Sequence, residues 1–131
     1  YLLQKFLPEI KENGEWSLIF FNGRFSHAVQ KKPKKGDFRV QEEYGGESLA
    51  QIPPSYLIRE ARNIIQLFAP DSLYARVDGL DIQEAFYLME LELIEPELFL
   101  HLHPQGHSNF VEAIRQRLLP DQFSPQPYLI A

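Results

Sequence analysis

Hydrophobic and polar residues alternate between residues 73 and 95, and this pattern predicts two strands joined by a turn. In the first strand Ala75 and Val77 alternate with Arg76 and Asp78. Because successive side chains of a strand point to opposite faces, the apolar pair shares one face. The arginine and the aspartate are therefore expected side by side on the other face.

The second strand, over residues 86–94, follows a turn expected at residues 79–81. Its period of two places Glu90 and Glu92 on one face, beside apolar neighbours. Isolated charges in such surroundings are costly unless they are paired or bind a cation. Together with Asp78, the two glutamates predict an all-oxygen cluster of the kind that Mg²⁺ prefers.

A different interpretation of the same hairpin stays open. Half-exposed strands often carry alternating glutamates, and Arg76 would then simply neutralise Asp78 on a solvated face. The geometry also sets a condition, because a symmetric hairpin places Asp78 opposite Phe86. The cluster therefore requires an off-centre turn, a bulge or contacts between diagonal neighbours.

Three more strands are predicted upstream of this hairpin, over residues 2–7, 16–21 and 25–30. The last two flank the pair Asn22-Gly23, which favours a type I′ turn because that turn needs positive φ at both positions. These two strands are therefore expected to form a tight hairpin.

Two helices complete the predicted fold. The first is expected to be capped by Ser55 and to end near Pro70, and the second to be capped by Ser108 and to stop at Pro120. The predicted fold class is α+β, a mostly antiparallel sheet with two helices packed on one face. Residues 1–119 form the predicted domain, and residues 120–131 form an irregular tail.

Composition limits the possible functions. The chain has 131 residues, a formal net charge of −5 and no cysteine. Nucleic acid is not an expected partner, since its binding needs a basic surface, and thiolate metal sites and disulfides are excluded. No apolar run is long enough to span a membrane, so a cytoplasmic location is expected. The close histidines His101, His103 and His107 lack a nearby carboxylate and make a weak candidate zinc or nickel site.

The segment from residue 31 to residue 54 is rich in charge, glycine and proline, and is predicted to be a long loop. Its four lysines indicate a solvated turn or a surface that approaches an anionic ligand. Gly45 and Gly46 indicate a turn in this loop.

Six motifs occur in an order that resembles the C-terminal half of ATP-grasp ligases. They are QKFLPEI at residues 4–10, the strand-NG-strand hairpin with SHAV, GDFRVQ before the double glycine, the first helix, RVD at 76–78 and MELELIEP at 89–96. The chain is most similar to the glutathione synthetase and ribosomal-protein glutamate ligase types over residues 1–119. D-alanine–D-alanine ligase shares the Arg-x-Asp pattern.

The resemblance implies ATP and two Mg²⁺ ions as cofactors, with Mn²⁺ as an alternative metal. It implies that Asp78, Glu90 and Glu92 hold the metal ions, although Glu92 stands where an asparagine is usual. The Lys5 carbonyl and the Leu7 amide match the segment that reads the adenine edge.

The remaining implied roles concern the nucleotide sugar and the reacting groups. Glu15, with Glu12 as the alternative, matches the acceptor of the ribose hydroxyls. Arg76 and Arg39 match catalytic arginines, and Arg39 also approaches the acyl substrate. The other substrate residues implied are Gln41, which replaces a usual asparagine, and the glycines of a closing loop, Gly45 and Gly46.

The implied activity is that of a carboxylate–amine ligase acting through an acylphosphate on small-molecule substrates, with the oligomeric state left open. The metal would neutralise charge on the transferring phosphoryl group, and a fixed arginine would stabilise the oxyanion that follows. The family's phosphate-binding lysines lie upstream of Tyr1, so the chain is expected to be a fragment that is inactive alone. The alternative is a non-catalytic partner- or peptide-binding module on the same fold.

Overall fold

The computed structural model describes residue 3, residues 5–34, residue 39 and residues 45–119. Its five strands form one antiparallel sheet with the spatial order β3-β2-β1-β4-β5. The strands are β1 (Glu15–Phe21), β2 (Arg24–Lys32), β3 (Glu47–Ala50), β4 (Tyr74–Ile82) and β5 (Ala85–Glu92). The helices are α1 (Ile10–Asn13), α2 (Ser55–Phe68) and α3 (Gly106–Leu118), with a 3₁₀ turn at Leu100–Leu102. The predicted tail at residues 120–131 and the candidate Gln41 lie outside the described residues.

The central strand β1 is buried along its whole length. Its side chains alternate between two apolar clusters, with Leu18 and Phe20 on one face of the sheet and Ile19 and Phe21 on the other. A strand covered on both faces is apolar without interruption, as this one nearly is. Both faces of the sheet therefore need a covering element.

The two long helices supply these covers from opposite sides. Helix α2 buries Leu57, Ala61 and Ile65, spaced four residues apart, against the face that carries Leu18. Helix α3 packs Ala113 against the face that carries Ile19. The α+β class and the antiparallel sheet are confirmed. The placement of both helices on one face is wrong, because the central strand is apolar on both faces.

The β1–β2 hairpin turns at Asn22 and Gly23, whose φ angles are 47° and 71°. This confirms the predicted tight turn, since both residues adopt positive φ. The Asn22 side chain also donates a hydrogen bond of 3.1 Å to the Ala113 carbonyl, which ties the turn to α3.

Several predicted boundaries are wrong. The described residues 3 and 5–7 lie outside any strand, because the chain turns at Pro8 into α1 and no described strand pairs with them. Strand β3 lies in the predicted loop, where it pairs with the end of β2. Ser55 is the first residue of α2 rather than its cap, and α3 begins two residues before Ser108.

Among the described helices, none combines the length and the hydrophobicity needed to cross a membrane.

Candidate metal centre

The turn between β4 and β5 is not where the glycine signal predicted it. Gln83 and Glu84 form the turn with φ angles of 54° and 61°, whereas residues 79–81 belong to β4. The prediction of a turn at residues 79–81 is therefore wrong. Because β4 extends to Ile82, it forms seven residue pairs with β5, from Ile82 with Ala85 to Arg76 with Glu92.

A bulge in β5 sets the register of the acidic residues. Gly79 pairs with Leu88 but Asp78 pairs with Glu90, so the register shifts by one residue at Met89. A one-residue shift moves every following side chain to the other face. Without the bulge, Glu90 would therefore face α2. With it, Glu90 shares the α3 face with Asp78.

Gly79 makes room for this bulge. A Cβ atom at this position would lie 2.7 Å from the Tyr87 carbonyl oxygen and would overlap the Phe86 ring. Glycine inside a strand commonly marks such a close approach. The Phe86 ring can therefore pack toward α2 while the next part of β5 turns its carboxylates to the opposite face.

The structure brings together the three carboxylates that the sequence analysis selected. One oxygen from each of Asp78, Glu90 and Glu92 lies within 4.8 Å of the others, and in the described part of the chain no other set of three such residues does so. Asp78 is only 1% exposed, Glu92 is half-buried and Glu90 is exposed. Hard oxygen donors at this spacing fit a divalent cation such as Mg²⁺, with access from the Glu90 side.

Arg76 holds two of these carboxylates. Its Nε atom donates to Asp78 Oδ1 at 3.0 Å, and its Nη2 atom donates both to Asp78 Oδ2 at 3.0 Å and to Glu92. Its Nη1 atom donates to the Glu97 carbonyl at 3.3 Å, and the guanidinium lies 5.9 Å from the centre of the Phe99 ring. Burial acts to lower the pKa of Arg76, but the charges of Asp78, Glu92 and Glu90 and the hydrogen bonds to Asp78 together outweigh it and raise that pKa. The guanidinium is thus charged and fixed in place.

Lys31 is a second cation at the cluster, and sequence reasoning missed it. Its Nζ atom lies 3.0 Å from Asp78 Oδ2 and 3.5 Å from Glu15 Oε1, and the residue is buried. It had been counted among the lysines of a solvated loop. The signal that identifies it is the alternation of His27, Val29 and Lys31, which share one face of β2.

Glu15, the predicted ribose-binding residue, lies at the buried edge of this cluster. Burial raises its pKa to about 7, opposed by the Lys31 charge and assisted by the Asp78 charge. Burial also raises the pKa of Glu92, against the effect of Arg76. Ser17 pairs with Asp78 across the strands, and its buried hydroxyl has no hydrogen-bond partner among the residues that the structure describes.

The other predicted site residues lie in connecting segments. Lys5 and Leu7 precede α1, and Arg39, Gly45 and Gly46 belong to the connection between β2 and β3. Their roles stay predictions, since they lie outside the strands that bring the carboxylates together.

The candidate zinc or nickel ligands His101, His103 and His107 are not part of the carboxylate cluster. The His103 ring stacks on the buried His27 ring with 5.1 Å between ring centres, and its Nδ1 atom accepts a hydrogen bond from the Gln105 amide at 3.2 Å. His101 lies in the 3₁₀ turn and His107 near the start of α3. His103 therefore has a packing role in the structure.

Similar folds occur among solved structures, although other comparisons found no match. No protein-family model and no curated protein matches the chain. The solved structure of D-cycloserine synthetase DcsG is similar over 88% of this chain and 41% of its own length, with 25% identity and a TM-score of 0.73. D-alanine–D-alanine ligase from Bacillus anthracis, solved with ATP, is similar over 82% of this chain and 40% of its own, with 17% identity and a TM-score of 0.56.

Both of these proteins are ATP-grasp ligases, and the antiparallel sheet with its helices matches part of the ATP-grasp fold. The chain spans about two-fifths of the length of each solved structure.

Proposed function

We propose that this chain is the ATP- and Mg²⁺-binding part of a carboxylate–amine ligase that acts through an acylphosphate. The observation that supports this most is the bulge at Met89, which turns Glu90 and Glu92 to the face of Asp78. Bulges frequently re-aim side chains beside functional sites. The similarity of the sheet to ATP-grasp ligases supports the same proposal.

Asp78, Glu90 and Glu92 would hold the metal, as two Mg²⁺ ions or as Mn²⁺. When bound, the metal supplies positive charge that neutralises the transferring phosphoryl group. Glu90 is exposed and Asp78 is buried, so the cluster is open to solvent on the Glu90 side. Glu92 adds a negative charge where the family usually has an asparagine, and its contact with Arg76 offsets that charge.

Arg76 would stabilise the oxyanion formed when the amine adds to the acyl group. Its guanidinium is already fixed by Asp78 and Glu92, and a charge that need not reorganise stabilises a transition state most effectively. Arg39 would act from the connection between β2 and β3. Gly45, which has a φ angle of 82°, and Gly46 would belong to a loop that excludes water from the acylphosphate.

The nucleotide contacts complete the proposal. The Lys5 carbonyl and the Leu7 amide would bind the adenine edge, Glu15 would accept the ribose hydroxyls, and Gln41 would contact substrate. The substrates would be a small-molecule carboxylate and a small-molecule amine. The glutathione synthetase type and the cytoplasmic location belong to this proposal as well.

A non-catalytic binding module on the same fold is the second candidate. One observation favours it: Asp78 already has two cationic partners, Lys31 and Arg76, within the protein. Such ion-pair networks also occur as purely structural features. Under this alternative, Glu90 and Glu92 are strand residues on a solvated face and bind no metal.

Calorimetric titration of the intact protein with a non-hydrolysable ATP analogue distinguishes the two candidates. We expect binding to require Mg²⁺, and we expect Glu90→Gln to weaken the Mg²⁺-dependent binding about tenfold through loss of a charged ligand. Glu84→Gln, in the exposed turn of the same hairpin, is the matched control and should bind as the wild type does. Failure of the intact protein to bind nucleotide, with or without Mg²⁺, would contradict the ligase proposal.

A further inference from the structure

Lys31 reaches the candidate metal centre from the far side of β1. It starts on β2 opposite Glu15, whereas its Nζ atom lies 3.0 Å from Asp78 on β4, two strands away. The small side chain of Ser17 lies between β2 and β4 in the row of Asp78. A lysine side chain can therefore cross the sheet here, and its ammonium contacts Asp78 from the buried side.

The charges around Asp78 are arranged with opposite signs on its two sides. Lys31 and Arg76 contact it from within the protein, and both are about 10% exposed at the side chain. Glu90 and Glu92 approach it from the more open side. The Lys31 ammonium and a metal ion would therefore both contact the Asp78 carboxylate. These two positive charges would lie a few ångströms apart and repel each other strongly where water is excluded.

We propose that Lys31 is a built-in competitor for the metal: its ammonium occupies Asp78 until a divalent cation binds, and so limits the metal affinity of the empty site. The inference rests on the proposed function, since it assumes that Asp78, Glu90 and Glu92 hold metal. Lys31 is a positioning residue that acts through Asp78. Glu15, 3.5 Å from the ammonium, is the partner that retains Lys31 when Asp78 turns to the metal.

Binding of Mn²⁺ to the nucleotide-free intact protein tests this directly, with free Mn²⁺ measured by electron paramagnetic resonance. We expect Lys31→Met to bind Mn²⁺ about tenfold more tightly than the wild type, because a competing unit charge is removed. Lys31→Arg keeps the charge and should bind as the wild type does. Lys32→Met is the matched control, since Lys32 is the next residue, is exposed and points to the other face of β2.

A measurement on the wild type covers the case in which Lys31→Met does not fold. In a titration with Mg²⁺, the nuclear magnetic resonance signal of the Lys31 ammonium should shift as its contact with Asp78 breaks. The Lys32 signal should stay constant. An unshifted Lys31 signal at saturating Mg²⁺ overturns the inference, as does a folded Lys31→Met variant that binds Mn²⁺ no more tightly than the wild type.

Glu90→Gln separates this inference from the proposed function. If the wild type binds Mn²⁺ and Glu90→Gln loses that binding, the metal site stands, and only the Lys31 result decides the role of Lys31. If neither the wild type nor folded Lys31→Met binds Mn²⁺, the role proposed for Lys31 is overturned, and the nucleotide titration above decides the proposed function independently.

Discussion

The two faces of the sheet come from the same strands but are filled by different kinds of side chain. The buried residues of the face under α2 are all apolar, namely Trp16, Leu18, Phe20, Ala28, Leu57, Ala61, Ile65, Ala75 and Val77. The face under α3 has an apolar cluster around Ile19, Phe21, Val29 and Phe99. It also carries the buried polar or charged residues of the described strands, namely Glu15, Ser17, His27, Lys31, Arg76 and Asp78.

This difference assigns stability and chemistry to separate faces. Burying apolar surface on the α2 face stabilises the fold, at about 25 cal/mol for each Å² removed from water. Buried charges on the α3 face at best break even, because desolvation opposes their mutual attraction. We therefore expect Asp78, Arg76 and Lys31 to contribute less to stability than the apolar residues of the α2 face do. The three predictions below test this contrast, from the largest expected effect to the smallest.

The α2 face should be the more sensitive to truncation. Phe20 is fully buried there, and Phe20→Ala should lower the free energy of unfolding by about 3–5 kcal/mol, since it leaves a cavity in a close-packed core. Urea denaturation gives this value. Leu67→Ala, on the exposed side of α2, is the control and should change stability by less than about 0.5 kcal/mol. Equal effects of the two variants would contradict the contrast.

On the α3 face, breaking an ion pair should cost more than removing it. Arg76→Met should destabilise the fold by about 3 kcal/mol, because the buried Asp78 loses its bidentate partner. Adding Asp78→Leu and Lys31→Met to Arg76→Met removes the buried charges on both sides of that contact and should restore most of that loss. Urea denaturation of both variants measures the difference. Additive losses would show that the pair itself stabilises the fold and would weaken the case for a ligand.

The smallest effect is a dependence of stability on pH that originates at Glu15. Its pKa is raised from 4.5 to about 7 in the folded state, so the folded protein holds this proton more tightly than the unfolded chain does. The free energy of unfolding therefore falls as pH rises from about 4.5 to about 7, by roughly 2–3 kcal/mol across this window.

Glu15→Gln removes this titration and should flatten the curve of stability against pH across that window. Glu12→Gln, at an exposed position in α1, serves as the control and should leave the wild-type slope in place. A Glu15→Gln curve parallel to that of the wild type would show that the carboxyl titrates normally and is not part of the buried network.

Local patterns in the sequence were enough to predict much of this fold. The Asn22-Gly23 turn follows from the positive φ that each residue tolerates, and the shared face of Arg76 and Asp78 follows from the period of a strand. Both depend on neighbours along the chain. The grouping of Asp78 with two glutamates was also predicted, but with the bulge left as one of several ways to achieve it.

Only the tertiary structure decided what happens across strands and between layers. The extra residue Met89 could not be located from the sequence, because alternation looks the same on either side of a bulge until a partner strand fixes the register. Lys31 resembled a loop lysine until β3 paired with the end of β2 and Asp78 came within 3.0 Å. Alternation along the chain determined that Arg76 and Asp78 share one face of a strand, whereas a contact between residues 47 positions apart, Lys31 and Asp78, determined which charges are buried together.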